Sequence, residues 1–297
     1  MKISAVIPTK NRGYDLVKAV ESIYNQLRKP DELIIVDQSD NDSSKTLVNK
    51  LNLPESISLI YIHDRSIKGL VDAKYHSLKY AKFDIISFLE DDIVLEEDYF
   101  REIYNTFKLN SKILGCSGVI TNANTSNLLY IILHYITHIG IFRDDRPFVY
   151  RNLFNKKNKI VSSNVISGGL SSWRLDVFKK ISFDTLNNFH LIEDFEFSFR
   201  FNKFFSNSLF IISNAKLAHY FSPINRENEI MVTERKIMEF LIFYKKNINH
   251  KYSLLSIFVL LLSNILLNIY RSIVKLDMRY IKSFFIGFKK GLNHKIK

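Results

Sequence analysis

Ser87-Phe88-Leu89-Glu90-Asp91-Asp92-Ile93-Val94 joins an apolar run to three consecutive carboxylates. The run reads as a buried strand. Unpaired charge is very costly inside a core, so the strand must end where the acids begin, and they must face water, a cation or both. The C-terminal edge of a sheet strand is where open α/β folds place ligands. An isolated acidic triplet is more often a solvated turn, so the rest of the chain must decide between the two.

Upstream, strand and helix patterns alternate. Lys2–Pro8, Glu32–Val36, Ser58–Ile62 and Asp84–Leu89 are β-branched or apolar runs closed by polar loops. Tyr14–Leu27, Ser43–Leu51 and Leu70–Ala81 have helical spacing. This alternation predicts βαβ units, a mainly parallel sheet flanked by helices, and right-handed crossovers. Thr9, Asn11 and Arg12 follow the first strand, Asp37 follows the second, and Glu90, Asp91 and Asp92 follow the fourth. In a parallel sheet these loops share one edge, so the groups can converge. Acids with a divalent cation such as Mg²⁺ or Mn²⁺ can hold a diphosphate.

Downstream the pattern loosens. Tyr99–Leu109 predicts a helix and Ile113–Ile120 a strand, while Arg143–Lys159 reads as a polar loop or hairpin. Leu128–Phe142 is apolar but short for a membrane span. Its His134 and His138 have the i, i+4 spacing of metal ligands, with no third ligand nearby. A short helix is expected after Ser171-Ser172, and two short strands at Leu209–Ile212 and Ala215–Tyr220. The single tryptophan, Trp173, reads as a core residue or a neighbour of an acceptor, and Cys116 as a small buried residue.

With one cysteine, the 297-residue chain can form no internal disulfide, which fits a reducing compartment. Its N-terminus lacks the layout of a signal peptide. Lys245 to Lys297 holds eleven Lys/Arg and one acid, and so carries ten of the net +12 charges. That block is interleaved with apolar stretches, which points to an anionic membrane surface and not to nucleic acid. Tyr252–Tyr270 is uncharged and near spanning length, but Ser253, Ser256, Ser263, Asn264 and Asn268 form a polar stripe. Such a stripe predicts a helix lying in the interface or packed on a partner. Ile273–Lys290 has one apolar and one basic face, the layout of an interfacial helix. Two regions are expected: an α/β domain over 1–225 and a helical, basic, membrane-associated region over 226–297.

Six stretches now stand in order: Val6-Ile7-Pro8-Thr9-Lys10-Asn11-Arg12, Ile35-Val36-Asp37, Gly69-Leu70-Val71-Asp72-Ala73-Lys74, Phe88-Leu89-Glu90-Asp91-Asp92, Gly168-Gly169-Leu170 and Glu193-Asp194-Phe195-Glu196-Phe197-Ser198-Phe199-Arg200. Together with His219, they make residues 1–225 resemble a family 2 glycosyltransferase of the GT-A fold, of the bacterial surface-polysaccharide type. The resemblance implies that Pro8, Thr9, Arg12 and Asp37 hold the nucleoside of a sugar nucleotide. Lys74 stands where an arginine is common and would contact the nucleotide. Glu90 and Asp92 would be the outer members of the DxD-type element, Glu90 standing in place of the more frequent aspartate, and Glu90 or Asp91 would contact the ribose of the sugar nucleotide. Asp92 would bind the metal, with His219 as a second ligand, and Gly168 and Gly169 would lie against the sugar. Asp194 would be the general base, with Glu193 as its rival. The implied activity is inverting, metal-dependent transfer from a nucleotide diphosphate sugar to a glycan or lipid-linked acceptor, at the cytoplasmic face of a membrane. The alternative is an inactive nucleotide-binding or scaffold module with the same fold.

Overall fold

The computed structural model describes residues 1–51, 53–123, 127–153, 156–187 and 189–297. The N-terminal half alternates as its pattern predicts: β1 (Ile3–Thr9), α1 (Gly13–Tyr24), β2 (Glu32–Asp37), α2 (Ser43–Asn49), β3 (Ser58–His63), α3 (Leu70–Ser77) and β4 (Ile85–Leu89). There follow β5 (Ile93–Leu95), α4 (Tyr99–Leu109), β6 (Gly115–Ile120), α5 (Leu128–Thr137), α6 (Arg146–Leu153), β7 (Ile160–Ser162), β8 (Leu170–Arg174), α7 (Glu193–Phe204) and β9 (Leu209–His219). Three helices close the chain: α8 (Glu229–Lys246), α9 (Ser253–Val274) and α10 (Arg279–Asn293).

One sheet carries the strands in the order β3-β2-β1-β4-β8-β6-β9-β5, with β7 beside β9. The first four strands are parallel, whereas β8 runs antiparallel between β4 and β6. Successive residues of a strand face opposite sides. Ile3, Ala5 and Ile7 of β1 therefore pack with Leu16 and Val20 of α1, while Val6 packs with Ile34, Val36 and Phe88 on the other face. Both faces are covered, which is why β1, β2 and β4 are buried along their whole length.

Several expectations change in the C-terminal half. The stretch 143–159 contains α6 and is no simple loop. Ser171 and Ser172 themselves lie in strand β8, where Ser87 and Ser172 share a hydrogen bond at 2.7 Å, and the short helix expected after them is the 3₁₀ helix Leu175–Lys179. The two short strands expected after 208 are one, β9, which pairs parallel with β6 and shifts register partway along. Trp173 lies in the core among Phe178, Phe197 and Phe201, its indole N–H donating to Ser171. Cys116 is buried.

A third apolar cluster joins α7 to the terminal helices, with Phe195, Phe240, Phe243, Ile257, Leu260 and Phe284 at its centre. The polar stripe of α9 turns inward: Ser253, Ser256 and Asn268 are buried, whereas Leu254, Phe258, Leu262 and Leu266 are exposed. Among the described residues α9 alone is long and apolar enough to cross a membrane. The expected interfacial helix divides differently. The apolar face of α10 packs on α8, and Gly287 sits so close that a Cβ there would stand 2.2 Å from the Glu234 carbonyl oxygen. The outward apolar surface therefore belongs to α9 more than to α10.

Candidate active site at the strand ends

The ends of β1, β2 and β4 meet as the parallel topology requires, with Thr9 paired in register to Asp37 and Pro8 to Val36. Asp37 is fully buried and takes hydrogen bonds from the Tyr61 hydroxyl at 2.6 Å and the Ser39 N–H at 2.8 Å. The β1 loop is tied to the β2 loop through Asn11, which adopts a left-handed φ of 55° and donates its N–H to Ser39. Asp91 accepts from the Thr9 hydroxyl at 2.7 Å and from Arg12 Nη1 at 3.1 Å. Burial still pushes the Asp91 carboxyl up to about 6, against the pull of Arg12 and Thr9. Arg12 spends its other donors on the Ile224 carbonyl.

Glu90, Asp92 and His219 bring their ligand atoms within 4.8 Å of one another. His219 sits at the end of β9, opposite Ile93 of β5, so a long-range strand pairing carries it to the acids. Its Nε2 lies 2.9 Å from both Glu90 Oε2 and Asp92 Oδ1. Burial opposes the imidazolium, but hydrogen bonds and charge from Asp92 and Glu90 outweigh it and raise the pKa to about 9. Asp92 also accepts from the Ser222 N–H and Arg226 Nη2, each at 2.9 Å. Despite burial, the bonds from His219 and Ser222 and the charge of Arg12 hold Asp92 down at about 2. Two carboxylates sharing one cation on an imidazole are a donor set that suits a hard divalent ion such as Mg²⁺ or Mn²⁺.

Across the site, Gly168 and Gly169 precede β8. Their role is close approach without positive φ: a Cβ would stand 2.1 Å from Glu193 Oε1 at Gly168 and 2.1 Å from Glu90 Oε1 at Gly169. The Glu90 N–H donates to the Gly169 carbonyl at 2.9 Å. Lys74 is only 1% exposed and donates to Glu193 at 2.6 Å and to the Gly168 carbonyl at 3.1 Å. Burial raises the pKa of Glu193, opposed by Lys74. Glu193 and Asp194 open α7, and about 100° of helical rotation separates their directions. Glu193 turns inward to Lys74, while Asp194 lines a cavity of about 780 Å³ walled by α5, α6, α7 and α8.

Arg146 holds Asp194 there through Nη1, and its Nε and Nη2 clasp Asp144 at 2.7–3.1 Å. Neither Arg146 nor Asp144 is singled out by the sequence, because their stretch has no motif. Arg226 is missed as well, lying just beyond Pro223 and the 1–225 domain that the pattern predicts. Glu239 of α8 accepts the N–H groups of His190, Leu191 and Ile192 just ahead of α7, and so fixes the start of the helix that bears Asp194. His134 and His138 do not form a metal site among the described residues: their rings stack at 3.9 Å and no third ligand joins them.

Comparison with known proteins agrees with this geometry. Residues 4–181 match the family described as glycosyl transferase family 2. The chain is 24% identical over 237 residues to the poly(ribitol-phosphate) beta-N-acetylglucosaminyltransferase TarP of Staphylococcus aureus, spanning 75% of this chain and 70% of that protein. It is 32% identical over 91 residues to a GalNAc(5)-diNAcBac-PP-undecaprenol beta-1,3-glucosyltransferase of Campylobacter jejuni, covering 31% of this chain and 29% of that one. Among solved structures, the mannosyltransferase PcManGT of Pyrobaculum calidifontis, in complex with GDP-Man and Mn²⁺, aligns over 98% of this chain and 87% of its own. That alignment has a TM-score of 0.61 at 12% identity. S. aureus TarS with UDP-GlcNAc aligns over 84% and 68%, at a TM-score of 0.55 and 16% identity. The chain is a glycosyltransferase of GT-A fold and belongs to glycosyl transferase family 2.

Proposed function

We propose that this enzyme is an inverting, metal-dependent transferase acting in surface-polysaccharide synthesis. It moves a sugar from a nucleotide diphosphate to a glycan or lipid-linked acceptor at the cytoplasmic face of a membrane. The observation that carries this reading is the pair formed by the Glu90, Asp92 and His219 group and, across Gly168-Gly169, Asp194 at the wall of a sugar-sized cavity.

Pro8, Thr9, Arg12 and Asp37 flank the space for the nucleoside at the ends of β1 and β2. Asp92, His219 and Glu90 hold Mn²⁺ or Mg²⁺. When bound, the ion neutralises charge on the leaving diphosphate. Arg12 and Arg226 already stand on the same carboxylates and add cationic character there. Asp194 accepts the proton of the acceptor hydroxyl as its oxygen bonds to the anomeric carbon and the bond to the diphosphate breaks. Both acids are paired with a cation, but Glu193 is buried against Lys74 whereas Asp194 lines the cavity, which supports Asp194 for that task. Lys74 donates to Glu193 and to the Gly168 carbonyl, which supports a role in holding the Gly168 turn. The inward polar stripe and outward apolar face of α9 support membrane association, with the basic C-terminus facing anionic lipid.

Asp194→Asn keeps the shape and the Arg146 contact but removes the base. Transfer should fall roughly 10²–10⁴-fold while nucleotide affinity stays within a factor of about two. Turnover near that of the unmodified enzyme would remove Asp194 from the role.

A further inference from the structure

The cavity beside Asp194 is basic. Arg146, Arg151, Lys156, Lys157, Lys216 and Lys236 line it, against Glu96, Asp144 and Asp194. Two of those acids already share Arg146. Among the described residues no ion pair within 4 Å joins Lys156, Lys157, Lys216 or Lys236 to a carboxylate, and Asp144 and Glu239 act on Lys236 only from farther away. Lys236 is exposed, stands 5.5 Å over the Phe240 ring, and has its pKa lowered by desolvation and by the charges of Arg271 and Arg146. An ammonium in such a place gains from an anion. A neutral sugar acceptor needs none of these four charges.

One wall of this cavity is α5, through Tyr130 and His134, with His138 just past its end. The rest of α5 is apolar and uncovered: Leu128, Leu129, Ile132, Leu133, Tyr135 and Ile136 are each between 46% and 65% exposed. Helix α5 touches α9, whose outward face is also apolar. Two adjoining helices exposing this much apolar side chain make a surface fit for a bilayer. A cationic cavity that opens beside such a surface suits a ligand with an apolar tail and an anionic head.

We propose that this cavity takes the phosphate or diphosphate of a lipid-linked acceptor, with α5 and α9 seated together in the bilayer. Lys216 and Lys236 grip the phosphate that joins lipid to glycan, and the glycan hydroxyl is thereby brought to Asp194. The proposal rests on the glycosyltransferase reading of the Asp194 site.

The test uses the full chain in detergent, with geranylgeranyl diphosphate, inorganic diphosphate and a soluble glycerol-phosphate oligomer as separate probes in calorimetric titration. UDP or GDP with Mn²⁺ is titrated in parallel. The lipid diphosphate should bind at least about tenfold more tightly than either soluble probe. Lys216→Gln with Lys236→Gln should weaken it about tenfold or more, the loss expected for charge-assisted bonds, while leaving nucleotide affinity unchanged. The corresponding Arg variants should retain binding. Leu129→Ser, Leu133→Ser and Ile136→Ser together should reduce flotation with phosphatidylglycerol vesicles, without changing nucleotide affinity. Unchanged lipid-diphosphate affinity in the Gln variant overturns the phosphate site. Equal or tighter binding of the glycerol-phosphate oligomer overturns the lipid assignment, and unchanged flotation removes α5 from the bilayer. Failure of both nucleotides to bind with Mn²⁺ would instead strike the transferase reading itself.

Discussion

At the strand ends, every acid is answered: Asp91 by Thr9 and Arg12, Asp92 by His219, Ser222 and Arg226, and Glu90 by His219. The cavity beside Asp194, by contrast, holds cations in excess of its acids. The first region is a closed polar network, built to keep its shape and trade one cation for another. The second is an open one, whose charge balance is completed from outside. A site of the first kind should fail through loss of structure or metal affinity when a member is removed. A site of the second kind should lose ligand with little loss of stability.

The sharpest structural break of that contrast lies at Lys74. Lys74→Met strands the buried Glu193 and should cost about 3–5 kcal/mol of stability, as removal of one partner of a buried pair does. Pairing it with Glu193→Gln should recover much of the loss, and both are read by chemical denaturation. If Lys74→Met instead leaves stability intact and weakens nucleotide binding, Lys74 belongs to the donor site after all.

Next comes pH. Burial raises the Glu239 carboxyl from its ordinary 4.5 to about 7, against the three N–H groups it accepts. The folded chain therefore holds a proton there that the unfolded chain has lost, so stability falls as pH rises from about 4.5 to about 7. The fall should be about 3 kcal/mol, and Glu239→Gln should flatten it. A thermal unfolding series across that window that is as steep in the variant as in the unmodified chain would clear Glu239.

The smallest expected effect is on α9. Phe258 faces outward and is 61% exposed, so Phe258→Ser should change stability in detergent by less than about 0.5 kcal/mol. A larger loss would mean that the outward face of α9 packs on protein, and the contrast between α9 and α10 would weaken.

Much of the strand-end region is legible in the sequence. A parallel βαβ pattern dictates that Thr9, Asp37 and Glu90-Asp91-Asp92 share an edge, whatever the details of packing. His219 needed the family resemblance, since only the β5–β9 pairing brings it there. The cavity beside Asp194 resists reading for a physical reason. Arg146 opens a helix of eight residues and Asp144 lies just before it, in a connection with no periodic signal, and Asp194, which Arg146 holds, lies 48 residues away. The apolar faces of α9 and α10 look alike as patterns. What separates them is tertiary: Gly287 and Gly291 let α10 bring its apolar face close to α8, whereas α9 turns its polar stripe inward and leaves Leu254, Phe258, Leu262 and Leu266 exposed.

The account depends most on a metal-assisted donor site at Asp92. Thermal unfolding of the full chain with a panel of UDP- and GDP-sugars, with and without Mn²⁺, measures it directly, because a ligand of the folded state must stabilise it. At least one sugar nucleotide should raise the melting temperature only when Mn²⁺ is present, and Asp92→Asn should abolish that rise. Stabilisation that is indifferent to Mn²⁺, or that survives in Asp92→Asn, would contradict it.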